Sequence, residues 1–200
     1  MITGWVTWLV AAFVSGSIPF GYLLAKTRGV DITTVGSGNI GATNTARVLG
    51  KKLGAIVLVL DALKAWLPTW LVLRYGGELP TLPLSHLAEA SVGFAAICGH
   101  VFSPWMKWKG GKGVAPSLGV FLVLAPVATG IATLVWVVLY ASFRIASLGS
   151  LVASLVLVLA MIWRGAPSGH VAVVFATFVL VVIRHTENIK RLLAQREGKV

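Results

Sequence analysis

Two glycine-rich stretches hold the residue types from which an anion site is built. The first, "GSGNIGATNTAR" at residues 36–47, contains a literal G-x-G-x-x-G in Gly36, Gly38 and Gly41. Glycines let the backbone turn and approach a ligand closely, exposing consecutive N–H groups to an anion. Ser37, Asn39, Thr43 and Asn44 add short neutral hydrogen-bonding groups, and Arg47 adds a forked cation. The second stretch, "GHVFSPWMKWKGGKG" at residues 99–113, sets Lys107, Lys109 and Lys112 around Gly110 and Gly111. It feeds an apolar segment whose helix N-terminus would direct partial positive charge at the same place. In the tail, "RHTENIKR" (184–191) puts Arg184, Asn188 and Arg191 on one helical face, with His185 three residues before Asn188. Phosphate is the natural guest. The plainer readings are a flexible polar loop, a basic cluster attracted to acidic lipid heads and a solvated basic tail.

Familiar nucleotide motifs do not account for these residues. Asp61 lies 20 residues after Gly41, where a dinucleotide fold would place its ribose-binding acid, but Asp61 sits in an apolar run and no buried parallel strands surround residue 36. A phosphate-binding P-loop would need glycine at Met106 and a hydroxyl at Gly113. Of the six acids, Glu78, Glu89, Glu187 and Glu197 fall in the outer loop, an outer helix start or the tail, so a divalent metal finds too few oxygen ligands. The phosphates would be neutralised by Lys, Arg and backbone N–H, with no metal and no cofactor. Cys98 is the single cysteine, which excludes an internal disulfide and a cysteine metal cluster.

The elements that must position these groups are membrane helices. With 57% hydrophobic and 12% charged residues, the 200-residue chain reads as an all-α, polytopic integral membrane protein of one domain. Residues 1–8 lack a basic n-region, so the first apolar segment is expected to stay attached. Spans are expected at 5–25, 53–73, 87–105, 147–163 and 170–184. The apolar stretch 113–143 is too long for one crossing, at about 46 Å against a core of about 30 Å. It is expected to break near Pro126 and Gly130 into a short segment, 113–124, and a full one, 127–143. Seven spans with the N-terminus outside put 14 of the 17 Lys and Arg on the cytoplasmic face: Lys26, Arg28, Arg47, Lys51, Lys52, Lys107, Lys109, Lys112, Arg144, Arg184, Lys190, Arg191, Arg196 and Lys199. The net charge of +11 is therefore an orientation signal and calls for no nucleic-acid partner.

Within the spans, His100 stands about one turn inside the third, where an ionisable group is costly; it reads equally as a packed imidazole or as a functional group. Asp61 and Lys64, one turn apart, read as a mutually neutralising pair. Ser15, Gly16 and Ser17 read as a close helix contact. Two basic cradles on one face point to two phosphate-bearing substrates meeting at the inner interface. An organophosphate or anion transporter is the alternative, but its site should lie near the midplane between repeated halves, and no repeat is present.

Five blocks, "SGSIPFGYLLA", "GSGNIGATNTARVLG", "DALKAWLP", "GHVFSPWMKWKGGKGVAPSLG" and "RHTENIKRLL", resemble in order the bacterial membrane acyl-phosphate:glycerol-3-phosphate acyltransferase family of the PlsY type. Ala65 and Pro116 depart from the family's usual glycine and small hydroxyl residue. The resemblance implies transfer of a fatty acyl group from acyl phosphate to the 1-hydroxyl of sn-glycerol 3-phosphate. The products are lysophosphatidic acid and phosphate, in the first acylation of phospholipid synthesis. It also implies a site at the cytoplasmic face of the bacterial inner membrane, and no use of acyl-CoA or acyl carrier protein. On this reading the Gly36–Gly41 loop with Thr43, Asn44 and Arg47 holds one phosphate. Lys109, Gly110, Gly111, Lys112, His185, Asn188 and Arg191 hold the other. Ser37, Lys109 and His100 are assigned to catalysis, His100 as a base. The H-x-x-x-x-D pair of other glycerolipid acyltransferases is absent, since neither Asp31 nor Asp61 has a histidine five residues before it.

Overall fold

Proline and glycine divide the apolar runs into helices. The structure, a computed structural model, describes residues 2–84 and 86–198; Lys199, assigned above to the cytoplasmic face, lies outside them. The helices are α1 (Ile2–Ser17), α2 (Phe20–Lys26), α3 (Ala42–Leu49), α4 (Lys51–Tyr75), α5 (Leu87–Val101), α6 (Val114–Leu124), α7 (Pro126–Phe143), α8 (Ala146–Trp163), α9 (Ser168–Arg184) and α10 (Thr186–Leu193). A 3-10 turn, Pro104–Met106, lies between α5 and α6, and no strand occurs among the described residues.

The long apolar stretch breaks at Ala125, whose non-helical backbone (φ −151°, ψ 65°) precedes Pro126 at the first position of α7. A residue before proline is disfavoured in the helical region, and proline suits a helix start. Gly130 lies inside α7 and takes no part in the break. The expected first span is also divided, at Ile18 and Pro19, because proline cannot continue the hydrogen-bond ladder. The third stops at Val101 instead of reaching residue 105.

Prolines interrupt the hydrogen-bond ladder in two adjacent segments, and each segment supplies a donor to a carbonyl of the other. Pro68 inside α4 has no N–H for the Lys64 carbonyl, which accepts a 2.7 Å bond from the Ser15 hydroxyl. The Ile18 carbonyl, at the break beside Pro19, accepts a 2.6 Å bond from the Lys64 ammonium. Where no water is at hand, such pairing is what makes a helix break tolerable. Ser15 is thus a hydrogen-bond donor between helices and more than a small packing residue.

Close crossings use glycine. A Cβ at Gly16 would collide with the Ala96 backbone, and one at Gly99 with the Phe13 carbonyl, so α1 and α5 meet at backbone contact. Gly119 brings α6 as close to the Ala62 carbonyl of α4. The core gathers around α5, with Val92, Ala96, Ile97 and Val101 packed among Val120 and Phe121 of α6, Met161 of α8 and Val174 of α9. Apolar side chains also cover the outside: Val10, Val59, Leu134, Leu159 and Ile183 are each more than half exposed, as a lipid-facing surface requires.

Among the described residues, four helical segments are long and apolar enough to cross a bilayer: Thr3–Lys26, Lys51–Tyr75, Pro126–Phe143 and Ala146–Trp163. Counted as one span, α9 with α10, bent by 61°, would make a fifth. With 15 and 11 residues, α5 and α6 are shorter.

Candidate active site

The loop at residues 36–41 is shaped by one side chain. The buried Asn44, in the first turn of α3, accepts a bond from the Ser37 N–H (2.8 Å) and donates to the carbonyls of Ile32, Val35 and Asn39 (3.3, 3.1 and 3.0 Å). Its amide is spent on the loop. Gly36 and Gly38 have φ of 61° and 68°, a region costly for residues with a Cβ, and a Cβ at Gly36 would strike the Asn44 amide oxygen. Asn39 receives the Gly41 N–H at 2.9 Å. With the polar groups of the loop paired internally, Ser37, Thr43 and Arg47 remain exposed, and none of their side chains makes a hydrogen bond among the described residues. Ala42 and Thr43, in the first turn of α3, contribute N–H groups with no intrahelical partner. The segment read as a loop therefore contains a short helix whose N-terminus faces the site.

The second stretch folds back over the end of α5. The Gly110 N–H bonds to the Val101 carbonyl (3.1 Å) and the Gly111 N–H to the His100 carbonyl (3.0 Å). These amides cap α5 and are not available to a phosphate. A Cβ at Gly110 would meet the His100 carbonyl and one at Gly111 the His100 imidazole, so only glycine fits. From the other side the Arg184 guanidinium donates to the carbonyls of Gly110 (3.1 Å) and Gly111 (3.3 Å). Ser103 and Trp105 tie the same loop to Ser17 at the end of α1. So held, the loop directs Lys112 inward and leaves Lys107 and Lys109 exposed.

Lys112 donates to the Asn188 side-chain oxygen, and the Asn188 amide donates onward to Glu197. Glu197 also accepts from the Ser147 hydroxyl (2.8 Å) and the Arg191 guanidinium (2.6 Å). Burial pushes the Lys112 ammonium down to about 8; Glu197 opposes this, while Arg191, Arg184 and Arg47 add to it. Burial would raise the Glu197 carboxyl, but its bonds from Arg191, Asn188 and Ser147 hold it below the ordinary glutamate value. His185 places Nδ1 2.8 Å from the Val181 carbonyl, which only accepts, so Nδ1 bears the proton and Nε2 carries the lone pair. Burial first, then Lys112, holds this imidazole down at about 4, and it is neutral at physiological pH.

Both cradles open on one cavity of about 650 Å³. Gly36, Ser37, Asn39, Gly41, Thr43, Asn44, Arg47, His100, Lys112, His185, Asn188 and Arg191 all line it. Gly38, Lys109, Gly110 and Gly111 do not; Gly38 forms the turn, and the other three belong to the outer side and backing of the loop. From this polar end the cavity continues as an apolar cleft between α6, α7, α8 and α9, past Leu118, Ala132, Trp136, Ala153, Leu157 and Phe178. The N-terminus of α6, at Val114 and Ala115, faces the same space.

Asp61, Glu197 and Ser147 also line the cavity, where the sequence reading did not place them. Asp61 reaches the wall of the cavity while its carboxylate lies 2.7 Å from the Lys64 ammonium and 3.7 Å from His100 Nδ1. Its pairing with Lys64 follows the one-turn spacing, but only the fold shows it beside His100. Glu197 and Ser147 come from segments far along the chain from Lys112, and no local pattern joins them.

A cavity with two cation-rich ends of helices at its mouth and an apolar cleft behind suits a molecule that is part phosphate and part acyl chain. Proteins similar to this chain in sequence and fold are glycerol-3-phosphate acyltransferases. A model of the family described as glycerol-3-phosphate acyltransferase matches residues 6–195. A glycerol-3-phosphate acyltransferase of Trichlorobacter lovleyi is 45% identical over 199 residues, covering 99% of this chain and 98% of the relative. One from Myxococcus xanthus is 46% identical over 192 residues, covering 96% and 97%. The crystal structure of PlsY (YgiH), an integral membrane glycerol 3-phosphate acyltransferase, in its glycerol 3-phosphate form superposes with a TM-score of 0.91 at 36% identity, covering 98% of this chain and 95% of that one. Its lysophosphatidic acid form gives 0.88 at the same identity, covering 98% and 94%. Agreement this extensive in sequence and in the path of the helices has one reading: the chain belongs to the glycerol-3-phosphate acyltransferase family.

Proposed function

We propose that this protein transfers a fatty acyl group from acyl phosphate to the 1-hydroxyl of sn-glycerol 3-phosphate, releasing lysophosphatidic acid and inorganic phosphate. Acyl transfer to glycerol 3-phosphate is the activity of its family and makes it an acyltransferase of phospholipid synthesis. The observation that carries the finer reading is the joining of two phosphate-sized cradles and one apolar cleft in a single cavity. Ser37, Thr43, Arg47 and the N-terminus of α3 hold one phosphate. Lys112, Asn188, Arg191 and the N-terminus of α6 hold the other. The acyl chain lies in the cleft.

Acyl phosphate is an activated mixed anhydride, so orientation and oxyanion stabilisation supply most of the catalysis. The glycerol oxygen attacks the carbonyl carbon, the bond from that carbon to the phosphate oxygen breaks, and the departing phosphate takes the hydroxyl proton. Neutral His185, with its lone pair on Nε2, orients the hydroxyl. His100 is best read as a positioning residue, since its ring supports Gly111 and thereby Lys112. Lys112 replaces Lys109 as the lysine of the site.

The same reading makes residues 1–200 one domain with seven crossings: α1 with α2, then α4, α5, α6, α7, α8 and α9. It places the N-terminus outside and the cradles at the cytoplasmic face of a bacterial inner membrane. The basic residues around Arg47, Lys112, Arg184 and Arg191 support that orientation.

Purified protein in lipid, given palmitoyl phosphate and radiolabelled glycerol 3-phosphate, should make lysophosphatidic acid, and palmitoyl-CoA should not replace the donor. Ser37→Ala, Arg47→Ala and Lys112→Ala should each lower kcat/KM by about 10- to 100-fold, the worth of one hydrogen bond to a charged group. Lys109→Ala should stay near wild type; a loss there equal to that of Lys112→Ala would overturn the assignment. No product from folded protein would overturn the reaction itself.

A further inference from the structure

At the end of the bundle opposite the cradles, three side chains from two helices converge. His86 stands at the start of α5 and Glu89 in its first turn, while His170 lies in the first turn of α9. One donor atom from each residue falls within 4.8 Å of the others. The His86 Nδ1 contacts the Glu89 carboxylate, and the rings of His86 and His170 meet edge to face with centroids 5.6 Å apart.

His170 supplies an independent reason to see a ligand here. It is only 8% exposed, yet neither ring nitrogen has a hydrogen-bond partner among the described residues. A neutral imidazole carries one donor and one acceptor, and buried polar groups almost always find partners. His86, at the N-cap of α5, has a left-handed backbone with a φ of 60°.

We infer that His86, Glu89 and His170 bind a divalent transition-metal ion, Zn²⁺ by the chemistry of its ligands, which staples the start of α5 to the start of α9. Two imidazoles and one carboxylate are a recurrent zinc donor set, with a fourth position left for water. Zinc bonds of about 2.0–2.1 Å set tetrahedral ligand atoms roughly 3.3 Å apart. The exposed His86 side chain has room to close that gap. The site is distinct from the phosphate cradles, which are built of cations and backbone N–H groups. The two helices that it joins carry cavity-side residues at their other ends, His100 in the last turn of α5 and Arg184 and His185 at the end of α9.

The test uses full-length, tag-free protein in detergent, stripped with chelator and then exposed to Zn²⁺ or Co²⁺. Wild type should retain one metal per chain after desalting, show visible Co²⁺ bands of four-coordinate geometry, and melt at higher temperature with Zn²⁺ than without. His86→Ala alters an exposed side chain and should fold normally, keep its metal-free rate of acyl transfer, and lose metal affinity at least tenfold together with the melting shift. His170→Asn should lose the metal as well. Failure of wild type to retain metal, or equal retention in wild type and His86→Ala, would overturn the inference.

Discussion

Lys112 stands under two opposed demands. Its proposed role, binding a phosphate, needs it charged, while burial pulls its ammonium down to about 8. In the free enzyme it is charged below that pH and loses its proton as pH rises through it. The kcat/KM for the phosphorylated substrate should therefore fall above about pH 8 in wild type, and Lys112→Arg should abolish this limb because guanidinium stays protonated. The Glu197 carboxylate favours the charged form of Lys112, so Glu197→Gln should move the limb to lower pH. A pH profile of the three proteins checks this, and an unmoved limb in Glu197→Gln would refute the coupling. His185, held at about 4, should add no acid limb above about pH 5. Part of this site is legible in the residues alone: Ser37 and Arg47 are picked out by type and spacing, His185, Asn188 and Arg191 by the family resemblance, and all five line the cavity. Which lysine of "KWKGGKG" points inward is not legible. That depends on the bonds of Gly110 and Gly111 to α5 and Arg184, which turn Lys109 away.

Among elements, the contact of α1 with α4 combines a buried ion pair with hydrogen bonds across the helices. Lys64 balances Asp61 and also satisfies the carbonyl exposed at the Pro19 break. Removing one member of a buried ion pair strands the other and costs about 3–5 kcal/mol. Asp61→Asn and Lys64→Met should each lower the melting temperature markedly, and the double variant should lose less than the two losses combined. Strict additivity in thermal melts of the three variants would show that the pair is not coupled. The break at Pro126 can be read from a run too long for the bilayer. The break at Pro19 hides inside a run of ordinary length, where a helix and a broken helix span the same distance. The helix α3 hides for a different reason: "ATNTARVL" is short and polar, and it is held by the Asn44 side chain and by Gly54, whose missing Cβ admits Ala46.

For the whole molecule, the cleft behind the cradles should measure the acyl chain. Ala153 lines it on α8, so Ala153→Phe should disfavour palmitoyl phosphate relative to decanoyl phosphate. Each excluded methylene is worth about 0.8 kcal/mol, or about fourfold in kcat/KM. Competition between the two donors reads the ratio directly, and an unchanged ratio would place the chain elsewhere. The architecture at this scale is only partly legible, since hydropathy gives the helices and their basic ends but not which four of them enclose the cleft. The Glu197 bridge and the histidine cluster are likewise invisible, being made of residues far apart along the chain. The cleft has an open side: Leu58, Thr133 and Val137 line it and are themselves exposed on the apolar outer surface. An enzyme of this shape draws on two reservoirs with different units. The rate should follow the acyl donor by its mole fraction in the bilayer, so that adding inert phospholipid slows turnover by surface dilution, while it follows the polar acceptor by its molarity in water.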